Sequence, residues 1–252
     1  MGMNMTELDL ELQNRLYEWD PSFDLTGEQA ERLRIFYENL IQWNEVMNLT
    51  AITEIHEVYE KHFLDSMSII HLIDRKTLDQ KNGSLRLIDV GTGAGFPGLV
   101  LAIAFPNLQI TLMDSLNKRI GFLNDTVQKM DLKNVVCIHA RAEELAKNKD
   151  HREKYDLAVS RAVANIATLS EYCLPFVKVG GSFVAYKSEK AEEELKAAGR
   201  AVEILGGELK TMKEFKLPGT EYSRTLMKID KVRATDKKYP RKAGTPAKDP
   251  LN

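Results

Sequence analysis

The chain has 252 residues, 43% of them hydrophobic, enough for one substantial α/β domain with an extension. Its net charge of −2 conceals a segregation: residues 1–60 carry 13 Asp/Glu against 3 Lys/Arg, whereas residues 231–252 carry 7 Lys/Arg against 2 Asp/Glu. Residues 99–105 form the longest apolar run near the middle of the chain, far short of a membrane span, and no basic-then-apolar leader opens the sequence. Cys137 and Cys173 lack C-x-x-C spacing, so neither a zinc site nor a disulfide framework is expected, and a reducing cytoplasm is the expected location.

Residues 5–80 read as helical. Leu8, Leu12 and Leu16 repeat at i, i+4, Asp20-Pro21 separates this helix from the next, and Thr26 with Gln29 forms a candidate capping box. Leu33, Phe36, Tyr37, Leu40, Ile41 and Trp43 then mark one apolar face, and Val58, Phe63, Met67 and Ile70 another helix. From Leu85 the period changes. Candidate strands at 85–90, 109–113, 135–139, 155–160 and 182–186 alternate with helical stretches at 97–105, 117–130, 142–148, 164–177 and 189–205, which predicts a mostly parallel sheet covered on both faces. Two more strands, about 208–216 and 223–230, flank the turn Leu217-Pro218-Gly219. The expected organisation is a helical extension over 1–80, an α/β domain over 81–230 and a basic tail over 231–252. The tail holds three prolines and few apolar residues, so it forms no core of its own and orders only against the domain or a polyanion.

The most informative stretch is Asp89-Val90-Gly91-Thr92-Gly93-Ala94-Gly95-Phe96-Pro97-Gly98, a glycine-rich turn between an apolar strand and a helix. Gly93, Gly95 and Gly98 satisfy the dinucleotide spacing G-x-G-x-x-G. Counted from Asp89, the same glycines also resemble the first motif of class I S-adenosylmethionine (AdoMet)-dependent methyltransferases. A pyrophosphate wants bare N–H groups and is repelled by a carboxylate, whereas AdoMet carries an ammonium and a sulfonium, so Asp89 favours AdoMet. The terminal strand pair points the same way, to a seven-stranded sheet with its last strand antiparallel. A third reading is that the glycines only shape a tight turn.

Asp114 ends the second strand, where an acid accepts the ribose hydroxyls of an adenosine cofactor or simply caps the next helix. Ala142 and Glu143 follow the third strand, in the loop that lies over an adenine, although Glu143 also suits the start of a helix. Arg161, in Ser160-Arg161-Ala162-Val163 after the fourth strand, is placed to contact a cofactor carboxylate or a nucleobase oxygen, or else to form an ion pair. The Asn/Asp-Pro-Pro-aromatic run of exocyclic-amine methylation is missing there, and Cys173 lies in an apolar helical pattern. His56, His62, His71, His139 and His151 show no metal-ligand spacing, so no metal is expected; His62 and Asp65 share a helical face at i, i+3. The tail cations, with Tyr239 between them, suit phosphates and a stacked base, or serve only solubility.

Together these segments resemble the bacterial 16S ribosomal RNA (guanine-N7)-methyltransferase family, also called glucose-inhibited division protein B. The resemblance runs through Trp43-Asn44, Asn48-Leu49-Thr50, His62-Phe63-Leu64-Asp65-Ser66, the glycine turn with Phe96-Pro97-Gly98, and Asp114-Ser115 with Lys118-Arg119. It continues in Arg141-Ala142-Glu143, Ser160-Arg161-Ala162 and the tail from Tyr239-Pro240-Arg241-Lys242 to Pro246. Met67 and Ser188 depart from the family pattern. The resemblance implies a class I AdoMet-dependent methyltransferase fold and a guanosine target in the 530-loop, the decoding region of the small-subunit RNA. It implies cofactor contacts at Gly91, Phe96, Ala142, Glu143 and Arg161, to which Asp89, Gly93 and Asp114 are added here. Lys118, Arg119, Lys187, Tyr239, Arg241, Lys242 and Lys248 are the expected RNA contacts. The expected partner is 16S RNA within a small subunit or its precursor, and the expected state is a monomer. Guanine N7 has a free lone pair, so no general base is required and Arg161 is expected to act by positioning. The competing readings are methylation of a small molecule or protein, a non-catalytic assembly factor on the same fold, and a nicotinamide oxidoreductase.

Overall fold

The computed structural model describes residues 6–80, 85–161, 164–187 and 191–251. Helix α1 (Glu7–Trp19) starts at a reciprocal box between Thr6 and Asp9, and α2 (Gly27–Met47) at the expected box between Thr26 and Gln29. Asn48 ends α2 in the left-handed conformation, at φ 49°. The helix expected around Val58 to Ile70 is a chain of short pieces instead: α3 (Ile55–Val58), a π-helical turn (Tyr59–Leu64), α4 (Asp65–Met67) and a 3-10 turn (Ser68–His71). The short helix α5 (Arg75–Leu78) completes the region.

Seven strands follow: β1 (Arg86–Val90), β2 (Gln109–Asp114), β3 (Val135–His139), β4 (Tyr155–Ser160), β5 (Val177–Lys187), β6 (Gly207–Lys216) and β7 (Ser223–Lys231). They form one sheet in the order β3-β2-β1-β4-β5-β7-β6, with β1 to β5 parallel and β7 antiparallel to both its neighbours. Between them lie α6 (Gly98–Ala104), α7 (Asn117–Lys129), α8 (Ala142–Leu145), α9 (Ile166–Cys173) and α10 (Ala191–Ile204), and α11 (Thr245–Lys248) sits near the end. Two expectations shift at β5. The helix before it stops at Cys173, giving way to a 3-10 turn at Leu174–Phe176 that contains Pro175, and the strand begins at Val177 rather than 182. Gly180 and Gly181 make the longer strand bend: Gly180 takes φ +88°, and a Cβ on Gly181 would lie 2.5 Å from the Asp156 carbonyl.

Alternation along each strand sends side chains into two cores. Leu87, Ile110, Leu112, Val159 and Val184 meet α6, α7 and the helices of the first 80 residues. Ile88, Met113, Ala158, Phe183 and Met227 meet α9, α10 and Tyr239. Phe36 of α2 is fully buried and stacks on both Phe63 and Phe96, at centroid distances of 5.6 and 5.0 Å. The helical region is therefore joined to the glycine turn through one aromatic cluster. Among the described residues no helix is long and apolar enough to cross a membrane. Phe36→Ala is expected to lower unfolding stability by about 3–5 kcal/mol in urea titrations, since it empties a site shared by helix and turn; a loss below about 1 kcal/mol would show that the two parts pack independently.

Candidate functional site

The carboxyl ends of β1 to β4 converge on one edge, and each delivers a predicted residue. Beyond β1, Gly91 and Gly93 take φ +71° and +60°, and a Cβ on either would meet nothing within 4 Å. The turn is therefore open above its glycines, as a ligand cradle must be. Asp89 closes it from beneath. Its fully buried carboxylate accepts the Gly98 N–H (2.8 Å) and the Thr92 hydroxyl (2.7 Å) through Oδ2. Oδ1 is buried without a partner among the described residues, and burial raises the pKa to about 6 against the pull of those two donors. An anionic Asp89 thus holds one unused acceptor in the wall of the turn.

Asp114, at the end of β2, accepts the Gly93 N–H (3.0 Å) and the Leu116 N–H (2.9 Å), tying the first two loops together. Arg119 lies 3.2 Å from the same carboxylate. It pairs with Asp114 here while its side chain stays 36% exposed. Lys118 beside it is exposed, and both border a cleft of 340 Å³ whose other wall is Asn48 and Leu49. The β3 loop joins in through an Ala140 N–H bonded to the Asp114 carbonyl. Ala142 and Glu143 are buried just beyond, at the first turn of α8.

The tightest cluster surrounds Arg161, after β4. Its guanidinium donates to Asp65 Oδ2 (3.0 Å) and the Lys61 carbonyl (3.1 Å), meets His62 Nδ1 at 3.2 Å, and lies over the Phe96 ring at 5.0 Å. Asp65, 4% exposed, also receives Arg224 Nε at 3.0 Å. His62 stacks on Phe96 (4.4 Å, 25°), and its Nε2 meets the Thr50 hydroxyl at 3.0 Å. Nδ1 also lies 3.1 Å from the Lys61 carbonyl, so the ring either donates there from Nδ1 or accepts from Arg161 with its proton on Nε2. Burial, then the neighbouring Arg161 charge, pushes the imidazole pKa down to about 3, so His62 is neutral at physiological pH. The π-helical turn carries Lys61 and His62, which gives that irregularity a role at the site. The i, i+3 spacing of His62 and Asp65 therefore marks a real constellation. Arg224 escaped sequence reading because nothing local ties a strand arginine to Asp65, 159 positions earlier. Ala162, Val163 and Ser188 lie outside the described residues.

Several expected RNA contacts are occupied elsewhere. Lys187 Nζ donates to the Ala164 carbonyl (2.9 Å) and pairs with Glu194. Tyr239 is 8% exposed and belongs to the second core, so its ring is no platform for a base. The Arg241 guanidinium grips the fully buried Glu171, with Nε to Oε1 at 3.0 Å and Nη2 to Oε2 at 2.8 Å. A carboxylate buried inside an apolar helix needs a countercharge, and the basic tail supplies it. The sequence signal was the lone acid in Leu169-Ser170-Glu171-Tyr172-Cys173. Lys242 and Lys248 remain exposed. Among the described residues no group of His, Cys, Asp and Glu is arranged to hold a metal.

Comparison with known proteins places this geometry. Residues 29–227 match the family model described as "GidB: rRNA small subunit methyltransferase G". A Lachnoclostridium phytofermentans protein named ribosomal RNA small subunit methyltransferase G is 54% identical over 90% of this chain and 92% of its own length. The Acetivibrio thermocellus protein of the same name is 47% identical over 98% and 100%. Among solved structures, an SAM-dependent O-methyltransferase from Thermotoga maritima aligns with a TM-score of 0.50 at 18% identity, over 78% of this chain and 72% of that one. A mutant of MtNAS in complex with S-adenosylmethionine aligns at 0.51 and 12%, over 90% and 78%. These likenesses, with the strand order, make the fold that of the class I AdoMet-dependent methyltransferases. The family match covers the helical region from α2, the glycine turn and the Arg161 cluster together, and the chain belongs to the rRNA small subunit methyltransferase G family.

Proposed function

We propose that this protein transfers the methyl group of AdoMet to N7 of a guanosine in the decoding-region loop of 16S ribosomal RNA. The observation that carries the reading is the Arg161–Phe96–His62 cluster, a guanidinium and a neutral imidazole stacked on the aromatic residue of the glycine turn. When bound, AdoMet supplies an electrophilic methyl on a sulfonium. Gly91, Gly93 and Phe96 would receive its methionine end, with the unused Asp89 Oδ1 near its ammonium. Asp114, Ala142 and Glu143 would receive the adenosine.

Guanine N7 offers its lone pair without losing a proton, so the residues need only hold it in line with the bond that breaks. A histidine kept neutral and hydrogen-bonded on both nitrogens suits that requirement better than a proton shuttle. Arg161 can direct a remaining donor to guanine O6, the acceptor beside N7, or to the cofactor carboxylate. As the methyl–sulfur bond breaks and the purine takes up the positive charge, a neutral His62 spares the product the added repulsion of an imidazolium. N7 lies in the deep groove of A-form RNA, so the target base must be splayed from a loop. The exposed Lys118, beside the 340 Å³ cleft, and Lys242 and Lys248 are suited to flanking phosphates.

The direct test uses small-subunit particles lacking the modification, labelled AdoMet, and mapping of N7-methylguanosine by reduction and aniline cleavage. A single stop in the decoding-region loop is expected; AdoMet binding with no transfer to particle or RNA would overturn the assignment. Arg161→Ala should lower transfer about a hundredfold, comparable to one charge-assisted hydrogen bond, and calorimetry then separates its roles. Weakened AdoMet binding assigns it to the cofactor carboxylate, unchanged binding to the guanine, and unchanged transfer removes it from both. Asp89 gives a pH signature. The cofactor ammonium favours the carboxylate, so AdoMet affinity should be level above pH 6 and fall by up to about tenfold per unit below it. Asp89→Asn should flatten the profile; a wild-type affinity unchanged at pH 5 would sever Asp89 from the cofactor.

A further inference from the structure

The segment after β7, expected to order against the domain or an RNA, takes the first course: it starts beside Arg152, just before β4, and reaches the carboxyl edge of the sheet at Glu143. Thr235 is buried, its hydroxyl on the Leu205 carbonyl (2.6 Å), and Arg152 donates to the carbonyls of Thr235 (2.8 Å) and Tyr239 (2.9 Å). Arg241 then closes on Glu171 with its guanidinium and its own N–H, the latter at 2.7 Å. Thr168 of α9 donates to the Pro246 carbonyl at 2.9 Å, and Pro246 is buried. Between these anchors the chain turns at Gly244, φ +82°, and the Gly244 N–H donates 2.8 Å to Glu143 Oε1. The left-handed φ is what lets the N–H face Glu143, and it favours glycine at this position.

Glu143 opens α8 and is 5% exposed. Gly244 is the one partner of its carboxylate among the described residues, and it occupies one oxygen. The orientation of that carboxylate is therefore set by a residue 101 positions later, which is itself held by the Arg241–Glu171 fork. We propose that the 239–249 segment is a clasp on the adenine end of the AdoMet site, in which Arg241 and Gly244 are positioning residues that hold Glu143 in its binding orientation. This rests on the reading of Glu143 as a cofactor contact. The fork is the anchor and the Gly244 N–H the point of transmission. Because one Glu143 oxygen is taken by the clasp, the other is left for the exocyclic amine of an adenine. Binding of the cofactor and closure of the segment are then linked, each favouring the other by the same factor.

The test compares full-length wild type, Arg241→Ala and Lys242→Ala by calorimetry with AdoMet and by binding of the cofactor-free proteins to small-subunit particles. Arg241→Ala should raise the AdoMet Kd about tenfold and change particle binding less than twofold. Lys242→Ala, at an exposed side chain, should leave the AdoMet Kd unchanged. An AdoMet Kd within twofold of wild type in a folded Arg241→Ala protein overturns the clasp. So does weakened particle binding at unchanged AdoMet affinity, which would return the segment to RNA. Should Arg241→Ala fail to fold, hydrogen exchange on wild type decides: amides of 241–249 should exchange more slowly with AdoMet present, and no change overturns the proposal. Wild type that binds no AdoMet overturns the cofactor reading itself, an outcome distinct from wild type that binds while 241–249 stay unaltered.

Discussion

A buried carboxylate has to be given donors, and at the carboxyl edge of this sheet the donors are what assemble the site. Asp65 is the strongest instance. It comes from the irregular helical run before the sheet, yet it neutralises Arg161 from the end of β4 and Arg224 from β7. Three distant parts of the chain are fixed by one group. Either arginine deprived of that anion would be a largely buried charge without compensation, an error of several kcal/mol, on the order of 3–5. The helical region is thus no optional cover: it holds Arg161, the residue that follows β4 at the carboxyl edge of the sheet.

The same logic repeats around the edge at different scales. Asp89 bridges the start and end of the glycine turn, Asp114 bridges the loops after β1 and β2, and Glu143 bridges α8 to the last segment. Each draws a loop N–H group into a defined place, so four loops that are separate in sequence behave as one rim. Gly98 shows how tight this is. A Cβ there would lie 2.8 Å from the Asp89 side chain, so the helix after the turn can start where it does only with glycine at that position.

The sheet and the glycine turn were legible in the sequence because both are local. Alternating apolar residues, glycines at short intervals and an acid at a strand end are all read within a dozen positions. What was not legible is long-range pairing. The basic residues of the last segment have the composition of a polyanion-binding tail, and composition does not reveal that Arg241 is committed to Glu171, 70 positions earlier. Arg119 shows the same limit at shorter range: Asp114 was in view, yet the sequence does not say that the first turn of α7 lays the guanidinium against that carboxylate. The break of the third helical region into α, π and 3-10 pieces was invisible too, because the apolar spacing of Val58, Phe63 and Met67 fits a regular helix equally well.

That break bears on how the chemistry is arranged. The π-helical turn carries His62, whose ring lies against Phe96 while its two nitrogens meet Thr50 and Arg161. A protonated imidazole there would put a second positive charge 3.2 Å from Arg161, with Arg224 and Lys61 adding to the repulsion. The ring is held neutral by burial and by those cations, so it adds no charge of its own across the whole physiological range. Charge in the cluster is then carried by Asp65 and the two arginines alone. Two cations and one anion leave the cluster with a single net positive charge where an imidazolium would double it, and that limits its repulsion of any cationic group brought to this edge of the sheet.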